Sequence, residues 1–191
     1  MMIQLQWHTP LAWAQHAIQD FDAFLLDHAA CERKASAVGM SFVVRYPDRE
    51  EMLEPMIQFA REELEHFHQV FRVIQSRGIQ LVPDEPDTYV NQLMKLARNG
   101  REEHFLDRLL ISGVIEARGT ERMKLIAQVL EDEKLKIFYE RLARTEDRHK
   151  DFFITLAHIY FDEATIQTRL ETLIAEEASI ASQLPYRCAL H

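Results

Sequence analysis

The sequence predicts an all-α protein built around four long helices. Glycine and proline are scarce, with 5 and 6 among 191 residues, so turn formers are too few for a sandwich or barrel of short strands. Hydrophobic residues make up 47% and charged residues 28%, a composition that excludes a disordered chain and can supply a sizeable core. Apolar residues recur at helical spacing along most of the chain. Since no low-complexity linker interrupts them, we expect one domain over 1–191.

The N-terminal half predicts a pair of long helices. Thr9-Pro10 is typical of a helix start, with threonine as the N-cap and proline at the first helical position, and a short helix follows. A long helix is predicted over 20–44 and ends before Tyr46-Pro47-Asp48. A second is predicted over 48–77 and ends at Gly78, a common C-cap residue.

The C-terminal half predicts a second pair of long helices. A connection over 78–100 contains Pro83 and Pro86, which interrupt helical structure. The remaining helices are a short amphipathic piece over 88–98, two long helices over 102–130 and 133–160, and a last amphipathic segment over 163–182. Four long helices with one long connection after the second are the pattern of a ferritin-like four-helix bundle, in which the second and third helices run parallel and need a crossover.

Charge and segment lengths restrict the cellular setting and the partners. The net charge of −9, from 31 acidic and 22 basic residues, argues against non-specific nucleic-acid binding. The stretch over 152–161 is too short to span a membrane, and residues 1–6 lack the basic start and apolar run of a secretory signal. Two cysteines, Cys31 and Cys188, are too few for a disulfide framework. We expect a soluble cytoplasmic protein without a membrane partner.

Acidic residues occur where core residues are expected. On the second long helix, Glu63 and His66 share one helical stripe with apolar residues, namely Met56, Phe59, Val70 and Val73. A second Glu-x-x-His pair, Glu65 and His68, lies on a polar stripe with Gln58, Arg61, Arg72 and Gln75. The first pair is therefore predicted to point into the core, and the second pair to face water.

The same pattern recurs in the other three long helices. Glu146 and His149 on the fourth share a stripe with Tyr139, Leu142, Phe153 and Leu156. Glu32 on the first and Glu116 on the third are the inward acids there. Glu32 precedes Glu63 by 31 positions, and Glu116 precedes Glu146 by 30. Each half is thus a helical hairpin with one Glu on its first arm and Glu-x-x-His on its second.

This repeat predicts a two-metal site. Four buried carboxylates cannot all ionise without cations, and two divalent metals balance their charge. A pseudo-twofold axis between the hairpins would bring six ligands to one level of the core: Glu32, Glu63, His66, Glu116, Glu146 and His149. This is the di-iron or di-manganese carboxylate arrangement. Oxygen and nitrogen ligands do not separate the two metals, and iron is preferred on chemical precedent. The competing interpretation, buried acids neutralised by arginines, is disfavoured because buried acids are rare unless paired.

Several further residues admit two interpretations. His28, one turn before Glu32, is either a hydrogen-bond partner of a ligand or a satisfied core histidine. Tyr139 lines a substrate pocket, acts in redox chemistry or is a packed core aromatic, and the last is favoured. Clustered bases are solvated faces or phosphate contacts, and they comprise Arg33 and Lys34, then Arg118, Arg122 and Lys124, then Arg141, Arg144, Arg148 and Lys150.

Five segments resemble a known family over nearly the whole chain. They are LLDHAACERKA at 25–35, AREELEHFHQV at 60–70, FLDRLL at 105–110, IEARG at 115–119 and LPYRCALH at 184–191. They resemble the MiaE family of bacterial tRNA hydroxylases, which act on 2-methylthio-N6-isopentenyladenosine beside the anticodon. The six predicted ligands show no departure from the family pattern.

The resemblance implies a non-haem di-iron monooxygenase. It implies two iron ions held by the six predicted ligands, dioxygen as co-substrate, an external electron donor, and hydroxylation of a terminal allylic methyl of the isopentenyl group. A tRNA partner requires local basic patches on this acidic protein, and we expect Arg33, Lys34 and Arg118 to contact the tRNA.

Two other classes of function remain open. One is another di-iron carboxylate protein, such as an oxidase, a peroxidase, a ferroxidase or a hydroxylase of a small lipid-like molecule. The other is a non-catalytic helical bundle that binds a partner through its acidic faces. The latter predicts no stoichiometric metal and tolerance of Glu116→Ala.

Overall fold

A computed structural model describes residues 3–191, apart from the side chain of Lys150, and all regular structure in that range is helical. The elements are α1 (Leu11–Ala17), a 3₁₀ turn (Ile18–Asp20), α2 (Phe21–Arg45), α3 (Glu50–Ser76), α4 (Thr88–Met94), α5 (Arg101–Val129), α6 (Glu133–Glu146), α7 (His149–Tyr160) and α8 (Glu163–Gln183). The all-α prediction is confirmed. None of these helices is both long and apolar enough to cross a membrane.

The chain divides into two compact units. One contains Gln19–Glu85 and Cys188–Leu190, and therefore α2 and α3. The other contains the described residues up to Ile18, together with Pro86–Arg187 and His191, and therefore α1 and α4 to α8. A single domain over 1–191 stays a prediction.

In the first unit, α2 and α3 pack closely. Asp20 caps α2 by accepting a hydrogen bond of 3.0 Å from the Ala23 amide. A Cβ atom at Gly39 would lie 3.0 Å from the Ala60 Cβ, and Ser36 Oγ donates to the Ala60 carbonyl at 2.7 Å. Small residues thus let the two backbones approach. After α3, Gly78 adopts a left-handed φ of 73°, as its predicted C-cap role requires.

In the second unit, α5 is surrounded by other helices. It packs against α1, α4, α6, α7 and α8, and every residue of Phe105–Ile111 is buried. Aspartates cap three of the surrounding helices: Asp87, Asp132 and Asp162. Because α5 has neighbours on all sides, several of its charged side chains are buried along with its apolar ones.

Three predicted boundaries differ from the structure. The predicted helix over 133–160 is interrupted at Asp147 and Arg148, although both residues keep right-handed helical backbone angles. The short helix predicted to reach Arg98 ends at Met94. Pro10, rather than Thr9, is the N-cap of α1, because the Thr9 hydroxyl donates instead to Glu121 at 2.7 Å.

Candidate metal centre

Three predicted ligands lie together in the α2–α3 unit. Glu32, Glu63 and His66 are 4%, 1% and 4% exposed. The Nδ1 atom of His66 lies 3.9 Å from Glu32 Oε2 and 3.8 Å from Glu63 Oε2. Two carboxylates and one imidazole therefore converge in a place closed to solvent, where a charged carboxylate needs a cation or strong hydrogen bonds.

His28 positions one of these carboxylates. It is fully buried on α2, and its Nε2 atom lies 2.6 Å from Glu32 Oε1. The Phe24 ring lies beside the imidazole, with 6.0 Å between the ring centroids. Of the two interpretations of His28, the structure shows the contact with Glu32. This contact fixes one Glu32 oxygen, while the other faces His66.

The second unit holds the corresponding residues. His149 Nδ1 lies 2.7 Å from Glu146 Oε2, and both side chains are buried. Glu116 on α5 is only half-buried, less enclosed than the inward position predicted for it. Tyr139 is fully buried and packs its ring perpendicular to Phe138, with centroids 5.2 Å apart, as expected of a core aromatic.

The second Glu-x-x-His of α3 serves as an internal comparison. Glu65 and His68 lie 3.7 Å apart, yet their side chains are 59% and 48% exposed. The spacing is the same as in Glu63 and His66, and only the helical face differs. The prediction that one pair faces the core and the other faces water is confirmed.

The chemistry of the buried donors fits a metal. Carboxylate oxygens and imidazole nitrogens are ligands that suit divalent iron, manganese and zinc. Each unit carries a buried Glu-x-x-His pair, and the α2–α3 unit adds the buried Glu32. The described chain therefore carries a Glu/His donor set suited to metal binding, which agrees with the coarse prediction of a metal site.

Arg118 does not have the role predicted for it. The residue is 0% exposed, and its Nε and Nη2 atoms donate to Glu177 at 2.8 and 2.9 Å. Burial would lower the pKa of Arg118, but the bonds and charge of Glu177 outweigh it and raise this pKa. The prediction that Arg118 contacts tRNA is wrong, because an enclosed guanidinium cannot reach a phosphate.

Arg33 and Lys34 are partly exposed and share one acidic partner. Arg33 is paired with Asp84, and Lys34 Nζ lies 3.3 Å from Asp84 Oδ2. Burial would raise the pKa of Asp84, but the hydrogen bonds from both bases outweigh it and lower this pKa. Part of their positive charge is thus compensated, and their contact with tRNA stays a prediction.

Two buried ionic groups were not predicted from the sequence. Asp107 is fully buried and accepts hydrogen bonds from Arg98 and Arg169. Glu177 is fully buried between Arg118 and Tyr89. A signal existed for Asp107, which lies inside the apolar run Phe105–Ile111, but nothing near Glu177 in sequence indicates its partner on α5.

Comparison with known protein families shows the family of this chain. The family model described as tRNA-(ms2io6A)-hydroxylase (MiaE) matches residues 2–191. The chain belongs to the MiaE family. Because this is a family of tRNA hydroxylases, the predicted enzyme class, an oxidoreductase, is confirmed.

Two curated relatives of this MiaE-family chain carry the same name, tRNA 2-(methylsulfanyl)-N(6)-isopentenyladenosine(37) hydroxylase. The one from Pseudomonas putida is 36% identical and aligns over 90% of this chain and 83% of its own length. The one from Salmonella typhimurium is 27% identical over 78% of this chain and 73% of its own length. Both names give the reaction and the substrate that the sequence predicts, so the predicted function is confirmed.

A solved structure supports the fold. It is a protein from Synechococcus that is named for aldehyde deformylating oxygenase activity. The two chains are 34% identical, with a TM-score of 0.94 over 99% of this chain and 96% of the other. Since that protein is ferritin-like, the predicted fold class is confirmed.

Proposed function

We propose that this MiaE-family chain hydroxylates the isopentenyl group of 2-methylthio-N6-isopentenyladenosine beside the anticodon of tRNA. The observation that carries the proposal is the buried convergence of Glu32, Glu63 and His66, which the exposed pair Glu65 and His68 does not share. Family membership supplies the substrate, and the buried donors supply a place for the chemistry.

We extend the proposal to the complete ligand set on the ground of the sequence repeat. One ferritin-like domain over 1–191 would use both hairpins, each contributing one Glu and one Glu-x-x-His. The ligands would be Glu32, Glu63, His66, Glu116, Glu146 and His149. The half-buried Glu116 suits a ligand on the side where substrate and oxygen enter.

The proposed metals are two iron ions. When bound, they would supply the redox chemistry by which dioxygen, two external electrons and two protons convert one C–H bond to C–OH and release one water. The chain provides carboxylates and imidazoles, exclusion of water, and orientation. His28 holds Glu32 through the 2.6 Å contact, which limits how that carboxylate can rotate.

The proposed substrate also determines the partner and the cellular location that we propose. A base beside the anticodon lies in a loop, where it can be unstacked and presented to a protein pocket. We propose that tRNA is the partner, that the enzyme works in the cytoplasm where tRNA is modified, and that a separate electron donor completes the reaction.

The test uses anaerobically iron-loaded protein, isopentenylated tRNA, a chemical reductant and isotopically labelled dioxygen. Digested tRNA is then searched by mass spectrometry for labelled oxygen on the modified adenosine. We expect label with the unmodified protein and with Glu65→Ala, and none with Glu63→Ala or Glu116→Ala. Equal labelling by Glu63→Ala and Glu65→Ala would overturn the proposed site.

A second candidate, oxygenation of a small aldehyde, is favoured by the similarity to the Synechococcus structure. The same assay with a small aliphatic aldehyde in place of tRNA distinguishes the two functions. Labelled oxygen in a product of the aldehyde, with none in tRNA, would establish the second candidate and leave the metal site in place. We expect the opposite result.

A further inference from the structure

One exposed stripe of α6 and its junction with α7 carries basic residues at nearly every turn. Its members follow one another at alternating steps of three and four positions, so they share one helical face. All are exposed: Lys134, Ile137, Arg141, Arg144 and Arg148. The stripe contains no acid, in a protein whose net charge is −9.

Three of the four bases in this stripe form no ion pair among the described residues, namely Lys134, Arg144 and Arg148. Neighbouring bases outside the stripe differ, since Lys124 Nζ lies 2.9 Å from Asp147 Oδ1 and Lys136 pairs with Glu133. Two acids of α6 border the stripe, since Glu133 lies four positions before Ile137 and Glu140 lies four positions before Arg144.

The stripe shares its helices with two of the proposed ligands. Glu146 and His149 are buried on the opposite face of the same α6–α7 segment. Arg144 lies two positions before Glu146, and Arg148 lies one position before His149. A polyanion held on the exposed face would therefore be kept close to the residues that we propose to hold the metal.

We propose that this stripe binds the sugar–phosphate backbone of the tRNA substrate. Guanidinium groups match phosphate geometry with two parallel hydrogen bonds, and Ile137, which is 58% exposed, offers an apolar contact for a sugar or a base. From Lys134 to Arg148 the stripe extends about 21 Å at 1.5 Å per residue, long enough for several consecutive phosphates. This proposal rests on the proposed function, because tRNA is its ligand.

The test is the salt dependence of tRNA binding. The double variant Lys134→Glu/Arg144→Glu changes two exposed charges and leaves all six proposed metal ligands in place. Arg61→Glu/Arg72→Glu, which reverses two exposed arginines of α3, is the control matched for the charge change. Dissociation constants for isopentenylated tRNA are measured from low to moderate salt. Each lost phosphate contact lowers the slope of log affinity against log salt by about 0.7–0.9, so we expect a reduction of roughly 1.5 for Lys134→Glu/Arg144→Glu.

We also expect Lys134→Glu/Arg144→Glu to bind tRNA at least tenfold more weakly at low salt, while Arg61→Glu/Arg72→Glu keeps the original affinity and slope. The neutral double variant Lys134→Gln/Arg144→Gln should lose less affinity than Lys134→Glu/Arg144→Glu, because it removes attraction without adding repulsion. Unchanged affinity and slope in Lys134→Glu/Arg144→Glu, with normal tRNA hydroxylation by the unmodified protein, would overturn the stripe alone. Failure of the unmodified protein to bind tRNA would overturn the proposed function and this proposal together.

Discussion

Arg118 on α5 donates two hydrogen bonds to Glu177 on α8, at 2.8 and 2.9 Å, and both side chains are fully buried. The Tyr89 hydroxyl donates a third bond to the same carboxylate at 2.9 Å. Burial, together with the charge of Glu177, raises the pKa of Tyr89 well above its usual value, so the phenol remains a donor. This enclosed ion pair therefore stabilises the packing of α5 against α8.

Glu177→Gln should therefore destabilise the protein. A broken buried ion pair costs about 3–5 kcal/mol of the free energy of unfolding, and the loss here should lie at or below that range because Arg118 keeps Glu121 as a second carboxylate partner. Urea denaturation followed by circular dichroism measures this loss. The double variant Arg118→Met/Glu177→Met, which removes both charges, should lose less. Identical denaturation midpoints for Glu177→Gln and the unmodified protein would show that the pair does not contribute to the free energy of unfolding.

The buried ionic groups also show where sequence reasoning fails. Periodicity separates Glu63 from Glu65 because α3 has one buried face and one wet face. It cannot place Arg118, because α5 is covered on all sides and its helical stripes do not indicate solvent. The partner of Arg118, Glu177, lies 59 positions away, and only the tertiary structure brings the two together.

Helix ends were predictable wherever their signals were local. Asp20 and Gly78 cap α2 and α3 through contacts within a few residues. The interruption at Asp147 and Arg148 contains neither glycine nor proline, so nothing in the local sequence marks it. The helical backbone angles of these two residues explain why Glu146 and His149 still meet as their spacing predicts.

His66→Ala and His68→Ala should differ in metal binding. Both histidines lie on α3 three positions after a glutamate, but only His66 is enclosed with Glu32 and Glu63. We expect His66→Ala to lose most of its bound iron, while His68→Ala binds as much as the unmodified protein. Iron per chain after anaerobic loading and desalting is the measurement. Equal iron content in the two variants would contradict the assignment of His66.

His28→Ala should weaken metal binding without removing a ligand. The lost contact, 2.6 Å from Glu32 Oε1, leaves that carboxylate free to rotate. Losses of 10- to 100-fold in metal affinity are typical when a hydrogen-bond partner of a ligand is removed. A competitive titration with a chelator gives the affinity, and His28→Gln, which can still donate a hydrogen bond, should recover part of it. An unchanged affinity in His28→Ala would mean that His28 serves packing alone.

Asp107→Asn should destabilise the protein in a way that depends on pH. Burial would raise the pKa of Asp107, but hydrogen bonds from Arg98 and Arg169 outweigh it and lower this pKa. The folded protein thus keeps the carboxylate ionised where the unfolded chain binds a proton. Its contribution to stability is complete above the unfolded pKa of about 3.9 and is lost as the pH falls through the lower folded pKa.

At pH 7 we expect Asp107→Asn to lower the free energy of unfolding by about 3 kcal/mol, because two guanidinium groups lose their buried partner. Urea unfolding of both proteins down to about pH 3 should show this difference shrinking once the pH drops below about 4. Asp22→Asn is the matched control, since Asp22 pairs with Arg77 at 2.6 Å with a side chain that is 49% exposed. That pair should contribute less than about 1 kcal/mol to the free energy of unfolding. A loss in Asp107→Asn that stayed constant through the acid range would refute the linkage between the Asp107 carboxylate and folding.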